Sequence, residues 1–506
     1  MREWLSPASG WPSASTGHVL NQRCPPNNLD SPRQVSDSTQ MAEARHACPP
    51  APRVVVVGAG PCGSALALRL ARTGVVVELI EALAPHQLLP RGEGLMPSGL
   101  EALRRLELEG ALAGVARMPL RSWDFWLERR PLFAVAEPIG GGEPCSLIRT
   151  PQLLEALLAE ARRLPSLRWH PGRRVSGLIW ETEGSGDNGS GAAGGQGDAN
   201  STMAGHGDGI AGGSSSTPAV GPGDRVCGVT LSDGGELRAD LVLACDGRGS
   251  TLRQLAGLAL EHERHLNSQP VSVLWFALEG PAVAELVDWL DGRFLTLVAQ
   301  GESLAVYAPT GGGLRLGWLL EGGAEDGDSD PAIGTDWREA WARLSPPELA
   351  ALWRVLPAQV IPEPVRVPIQ PALATRWQKP GLLLLGDAAH PMSPLRAQGL
   401  NMALRDAVVA GERLLPLLQP EAWTAASPGD RQARLDQALV AVEWARRPEI
   451  VRIQALQREE LDRALLLRRS APLRRLLAAT APLCGPLLSR RWQAGQPTLR
   501  RGLPLG

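Results

Sequence analysis

The residues that most constrain the fold lie between positions 53 and 81. Arg53 to Val57 reads RVVVV, a short β-branched run of the kind buried in a parallel sheet, and it ends in Gly58-Ala59-Gly60-Pro61-Cys62-Gly63. Ser64 to Thr73 then places Ala65, Leu66, Leu68 and Leu70 among helix formers, and Gly74 supplies a stop before a second apolar run, Val75 to Ile80. Strand, glycine turn, helix and strand in this order predict a βαβ unit. The glycines have distinct reasons: a tight turn at Gly58, backbone approach to a pyrophosphate at Gly60, and close packing of helix on strand at Gly63. The phosphate is then expected on the helix N-terminus. Glu81 ends the second strand 18 residues after Gly63, where a carboxylate accepts hydrogen bonds from ribose hydroxyls. The unit predicts a bound dinucleotide without choosing between NAD and FAD.

Composition removes other chemistries. The chain has 506 residues and 44% hydrophobic content, enough for a sizeable core, and its net charge of -2 gives no electrostatic footprint for nucleic acid. Its one lysine, Lys379, precedes Pro380, so a phosphate-binding Walker loop is absent and a Schiff-base lysine has a single loop-like candidate. Seven cysteines without a CxxC pair argue against a disulfide framework or zinc ribbon, and a reducing cytoplasm fits them best. His262 and His265 read as a surface or helix face, and no metal is expected. No run of about 18 uninterrupted apolar residues occurs, so no transmembrane helix is expected.

Residues 1–50 are rich in Ser, Pro, Asn and Gln without an apolar core and read as a disordered extension. A Gly, Ser and Asp tract at 184–224 reads as a disordered insertion, because it cannot bury enough apolar area to offset its ordering entropy. Its flanks, Arg174 to Glu181 and Arg225 to Leu231, read as strands, so the tract is expected to decorate a hairpin. Glu321 to Asp336 reads as a further exposed loop.

Two later segments carry a family resemblance. Leu241 to Arg253 (LVLACDGRGSTLR) resembles the DG motif, and Gly386-Asp387-Ala388-Ala389-His390 with Gln398-Gly399-Leu400-Asn401 resembles the GD motif, of the para-hydroxybenzoate hydroxylase family of flavoprotein monooxygenases. Order and spacing agree across roughly residues 53–415, including Arg91 and the RTPQLLEALL stretch from Arg149. The resemblance implies an α/β fold in which a Rossmann-type FAD-binding domain (51–118, 147–261 and 368–417) interleaves with a substrate-binding β-sheet domain (119–146 and 262–367). A C-terminal helical region, 418–506, follows. It implies FAD held by Gly58, Gly60, Gly63, Glu81, Arg91, Arg149, Asp246, Gly247, Gly386, Asp387, Gln398, Gly399, Leu400 and Asn401.

The implied reaction is that of an NAD(P)H-dependent monooxygenase. NADPH or NADH reduces FAD, O2 adds to give a flavin hydroperoxide, and one oxygen atom enters an aromatic or polyprenyl-like small molecule. A reductase or oxidase of a prenyl-type substrate on the same fold, and a non-enzymatic FAD-binding protein, are the alternatives. Leu382 to Leu385 reads as a buried strand delivering Asp387 to a ribityl hydroxyl, and a helix is expected from Leu400 or Asn401 through Ala410 with its N-terminus toward the flavin pyrimidine. Arg396 and Ala397 stand where the family often has glycine, and Ala82 stands where an arginine is common. Arg396 is thereby a substrate-side candidate; His390 is a second, with a hydrogen-bonded loop histidine as the equal alternative.

Trp123, Phe125 and Trp126 in one part of the implied substrate domain, and Trp275, Phe276, Trp289, Phe294, Trp318, Trp337, Trp341 and Trp353 in the other, line a cavity or fill a core; for any one of them core is the plainer reading. Tyr307 is the only tyrosine, which rules out a relay of several tyrosines. From Pro420 onward the chain reads as helical with clustered arginines (Arg463, Arg468, Arg469, Arg474, Arg475, Arg490, Arg491). Such a face is either solvated or in weak contact with a membrane surface.

Overall fold

In the computed structural model, described for residues 51–83, 93–181, 224–262, 271–321 and 335–505, the valine run enters the middle of a six-stranded sheet. Arg53–Val57 pairs in parallel with Val76–Glu81 on one side and Leu241–Ala244 on the other. Leu167–Pro171 extends the sheet beyond the first partner and Leu382–Leu384 beyond the second, both in parallel, and Gln378–Lys379 adds an antiparallel edge. Four of the five residues in the first strand are buried, as expected of a strand covered on both faces. The first helix runs Pro61–Arg72, earlier than Ser64, because Pro61 is suited to the first helical turn. It packs between the helices Thr150–Ala161 and Gln398–Leu418 in the largest core cluster.

A second sheet of seven strands is mostly antiparallel. Its order is Val365–Pro368, Val271–Leu278, Leu314–Glu321, Glu302–Tyr307, Arg293–Ala299, Ser122–Leu127 and Arg130–Ala136. The chain therefore leaves the first sheet twice to build the second. Phe276, Trp318, Trp337, Trp341 and Trp353 fill a core between this sheet and the helices Trp337–Leu344 and Pro347–Val355, so these aromatics are structural. Trp123, Phe125, Trp275, Phe294 and Tyr307 instead belong to a separate cluster with Met96, Cys145 and Leu147.

The hairpin expected around the Gly/Ser tract is present: Val175–Glu181 pairs antiparallel with Arg225–Leu231, with Glu181 opposite Arg225. The tract itself, residues 1–50, Arg91, His265 and most of the loop at 321–336 lie outside the described residues. After Leu418 the chain is helical, with Pro420–Ala425, Pro428–Arg469, Ala471–Ala479, Ala481–Ala494 and Gln496–Arg501. Several of its arginines are paired: Arg468 and Arg474 turn inward to Glu302 at 2.8 Å and Glu128 at 2.6 Å, and the exposed Arg469 reaches Glu321 at 2.6 Å. Among the described residues no helix is long and apolar enough to cross a membrane.

Candidate functional site

The glycine loop is shaped by what stands against it. Gly58 has φ +96°, and a Cβ there would lie 2.3 Å from the Cys245 carbonyl oxygen and 2.9 Å from the Asp246 Cα. A Cβ on Gly63 would lie 1.9 Å from the Gly58 carbonyl oxygen. Gly60 differs, since a Cβ there would meet nothing within 4 Å. Two of the glycines are thus imposed by backbone packing, and the third leaves open space at the start of a helix. That helix has no side-chain N-cap and no acidic residue in its first turn, so its leading N–H groups and dipole are available to an anion. Glu81, at the end of the neighbouring strand, accepts from the Ala59 N–H at 2.8 Å and the Leu83 N–H at 3.0 Å, which fixes its carboxylate beside the loop.

The DG segment abuts this loop through Cys245 and Asp246. Asp246 accepts from the Ser250 hydroxyl at 2.6 Å and the Leu252 N–H at 3.1 Å, and burial pushes its carboxyl up against the opposing pull of those two donors. It therefore organises the turn at Gly247 (φ +81°) whatever else it binds. Arg248, the next residue, was not singled out from the sequence, yet its Nε lies 3.2 Å from Asp387 Oδ2 and joins the DG and GD motifs. The GD segment also reaches the glycine loop, because a Cβ on Gly386 would stand 3.8 Å from that of Cys62.

The helix after the GD segment begins at Gln398, two or three residues before the expected start, and continues to Leu418. The reason lies in Arg396 (φ 62°, ψ 19°) and Ala397 (φ 50°, ψ 34°), which take the left-handed conformation that glycine adopts without strain. Two non-glycine residues hold this bend because their surroundings over-determine it. Gln398 donates to the Arg396 carbonyl at 2.9 Å and to the Leu499 carbonyl at 3.0 Å. Asn401 accepts from the Met96 N–H at 2.8 Å and donates to the carbonyls of Gly94 and Ala397. Gly399 would place a Cβ 3.8 Å from Asp387 Oδ1, and Leu400 is buried in the core behind. This helix too has no side-chain N-cap and no acid in its first turn.

The structure places the two substrate-side candidates in different surroundings. His390 is fully buried with its Nε2 2.6 Å from Asp406, the hydrogen-bonded arrangement weighed for it as the alternative, while its Nδ1 has no hydrogen-bond partner among the described residues. Asp406 also accepts from the Gly386 N–H at 2.8 Å and from Arg446 Nε at 2.7 Å; Arg446 contacts Glu449, which pairs with Arg405 at 2.9 Å. Burial alone would raise the Asp406 carboxyl, but His390 and Arg446 outweigh it and bring it to about 2. Arg396 does border the aromatic cluster. Its guanidinium lies 4.3 Å from the Trp123 ring and 4.6 Å from Trp492, and it contacts Gln496 and, at 3.5 Å, Glu460. It is thus stacked and nearly enclosed.

Arg149 is engaged by residues at the edge of the second sheet. It donates to the Thr310 carbonyl at 2.9 Å and to Glu279 at 2.8 Å. Glu279 shares Arg315 (2.9 Å) with the fully buried Glu93 (3.1 Å). Tyr307 faces Glu93, and burial together with that carboxylate holds its phenol well above the ordinary range, so it is a neutral hydrogen-bond donor in the aromatic cluster. None of Glu93, Arg315 or the C-terminal contacts of Arg396 carries a local sequence signal.

A dinucleotide fold with glycine loop, DG and GD segments brought edge to edge defines a flavoprotein. Residues 52–196 and 225–433 match the family model described as "FAD binding domain". The chain belongs to that family and is an FAD-dependent monooxygenase related to para-hydroxybenzoate hydroxylase. It is 29% identical over 462 residues to 6-methylpretetramide 4-monooxygenase of Streptomyces rimosus, covering 88% of this chain and 93% of that protein. It is 26% identical over 371 residues to the ubiquinone hydroxylase UbiL of Rhodospirillum rubrum, covering 72% of each. The crystal structure of Klebsiella pneumoniae HpxO with FAD and uric acid superposes with TM-score 0.62 at 19% identity, covering 90% of this chain and 98% of that one.

Proposed function

We propose that this monooxygenase uses NADPH or NADH and O2 to hydroxylate an aromatic or polyprenyl-like molecule bound between Arg396, Trp123, Phe294, Tyr307 and Met96. The observation that carries the reading is the meeting of three cofactor motifs around Gly58, with two uncapped helix N-termini, at Pro61 and Gln398, in the same region. The residues fit FAD. The first helix would take the pyrophosphate in the space that Gly60 leaves, Glu81 the ribose, and Asp387 the ribityl chain once it shares Arg248. The second helix would place its N–H groups at the pyrimidine, favouring negative charge there. Bound FAD supplies the activation of O2; the protein orients the substrate, excludes water and holds charge.

Under this reading 51–118, 147–261 and 368–417 carry the cofactor, and 119–146 with 262–367 carry the substrate. Arg396 would position the loop at the reacting face, and Tyr307, whose phenol faces Glu93, would form part of the apolar wall beside it. The names of the relatives, 6-methylpretetramide and ubiquinone, support an aromatic or polyprenyl-like class for this chain as well.

The test is anaerobic reduction of the purified yellow protein by NADPH and by NADH, followed by oxygen with a panel of phenolic polycycles and prenyl quinols. One ligand class should accelerate NAD(P)H oxidation and leave as a product gaining one oxygen atom. Protein that cannot be loaded with FAD would end the reading, as would a panel with no oxygenated product. Asp387→Ala should weaken FAD binding by about 1.5–3 kcal/mol, one charge-assisted hydrogen bond. Arg396→Ala should keep FAD affinity and change substrate-stimulated NAD(P)H oxidation; unchanged turnover with every ligand would remove Arg396 from the site.

A further inference from the structure

The helix Ala481–Ala494 is apolar on its outer face as well as its inner one over its first half. Its inner stripe, Ala481, Gly485, Leu488 and Trp492, lies on the second sheet, with Gly485 so close that a Cβ would stand 2.4 Å from the Leu132 carbonyl oxygen. Its outer stripe is Pro482, Leu483, Pro486 and Leu487, then Arg490 and Arg491. Leu483 is 84% exposed and Leu487 69%. The preceding helix, Ala471–Ala479, adds Leu476, 60% exposed, beside exposed Arg475. These three arginines form no ion pair among the described residues, unlike Arg468, Arg469 and Arg474. From Arg463 to Gly506 the sequence holds nine arginines and no Asp or Glu.

We propose that this face docks on an anionic lipid bilayer, with Leu476, Leu483 and Leu487 entering the interfacial region and Arg475, Arg490 and Arg491 meeting lipid phosphates. An apolar stripe rimmed by cations, on a segment whose own sequence holds no carboxylate and whose neighbouring Glu128 and Glu137 are taken up by Arg474 and Arg500, is complementary to such a surface, whereas a protein partner would be expected to meet mixed charge. A cavity of about 360 Å³ opens beside the stripe, lined by Arg490, Gln493, Arg500 and Arg501 among others. Arg500 is committed to Glu137 and Arg501 donates to the carbonyls of Gly140 and Gly141, whereas Arg490 forms no ion pair among the described residues. The opposite side of the same helix carries Trp492, which touches Phe125 at 5.1 Å and stacks on Arg396. One helix therefore joins the docking face to the candidate substrate wall. The inference deepens the reading of a polyprenyl-like or other apolar substrate, since a docked enzyme could draw such a molecule directly from the bilayer.

The test uses full-length FAD-loaded protein in flotation with phosphatidylcholine vesicles and with mixed phosphatidylcholine–phosphatidylglycerol vesicles. The protein should float with the mixed vesicles and lose binding in high salt. Arg490→Ala with Arg491→Ala should weaken binding by about tenfold or more. Leu483→Ser with Leu487→Ser should abolish flotation while FAD content and thermal midpoint stay at parental values. Absence of flotation, or flotation indifferent to both double variants, overturns the proposal. So does a dimer without vesicle binding that the leucine variant converts to monomer, which would assign the face to a second copy. FAD content and NAD(P)H oxidation measured without lipid keep the oxygenase reading separate from this outcome.

Discussion

Asp406→Asn is expected to destabilise the protein by about 3–5 kcal/mol, because it removes one partner from a buried ionic network and leaves Arg446 and His390 facing a neutral group. Asp406 is fully buried and holds the GD backbone at Gly386, the ring of His390 and the long helix through Arg446. Guanidinium midpoints at fixed FAD excess would measure the loss. The pH dependence follows from a folded-state carboxyl brought down to about 2 by His390 and Arg446 against burial. The shift from an unfolded value near 4 contributes roughly 2 kcal/mol, fully present above about pH 4 and lost as pH falls through about 2. The gap between parent and variant should therefore be flat from neutral pH to about 4 and narrow below it. A gap of only about 0.5 kcal/mol at pH 7, the size of a surface substitution, would show that the network is dispensable.

The glycine loop should separate two effects that sequence alone merges. Gly60→Val is expected to leave a folded protein with at least about a hundredfold weaker FAD binding, since its side chain enters open space reserved for the pyrophosphate. Gly63→Ala, a smaller change, should cost about 3 kcal/mol of stability, the upper end for overpacking, because its Cβ would overlap the Gly58 carbonyl. Circular dichroism melts of the apo forms and flavin titrations, read together, distinguish them. A Gly60→Val protein that keeps its yellow colour, or a Gly63→Ala protein that melts with the parent, would contradict this division of labour.

The parts of the fold legible in the sequence are those whose causes are local. The valine run, the glycines and Glu81 lie within about thirty residues and report a βαβ unit by their order. The flanks of the Gly/Ser tract read as strands for the same reason. The start of the helix at Gln398 was not legible, because nothing in Arg396 or Ala397 as residue types announces a left-handed backbone. The burial of His390 depends on Asp406 and on Arg446, 40 residues beyond that aspartate, and the Glu93–Arg315 pair spans 222 positions. Arg149, assigned by resemblance to the cofactor, also bonds Thr310 and Glu279, 161 and 130 positions away, which no local pattern announces. The aromatics divided into core and cluster only once the second sheet had been assembled.

The bond from Gln398 to the Leu499 carbonyl spans 101 residues, and Glu449 accepts from the Leu503 N–H near the same place. During synthesis the loop at Arg396 must wait for these partners. At about 5–20 residues per second, that interval is roughly 5–20 seconds after Gln398 is joined to the chain. The two bent residues have no glycine to hold their shape in the meantime. Flavin capture is accordingly expected to be a late event, following release of the last helices from the ribosome. Ribosome-bound chains stalled before Gln496 should retain little FAD, whereas chains extended by an unstructured tether past Gly506 should retain it. Equal retention by both would show that the loop sets without its distant partners.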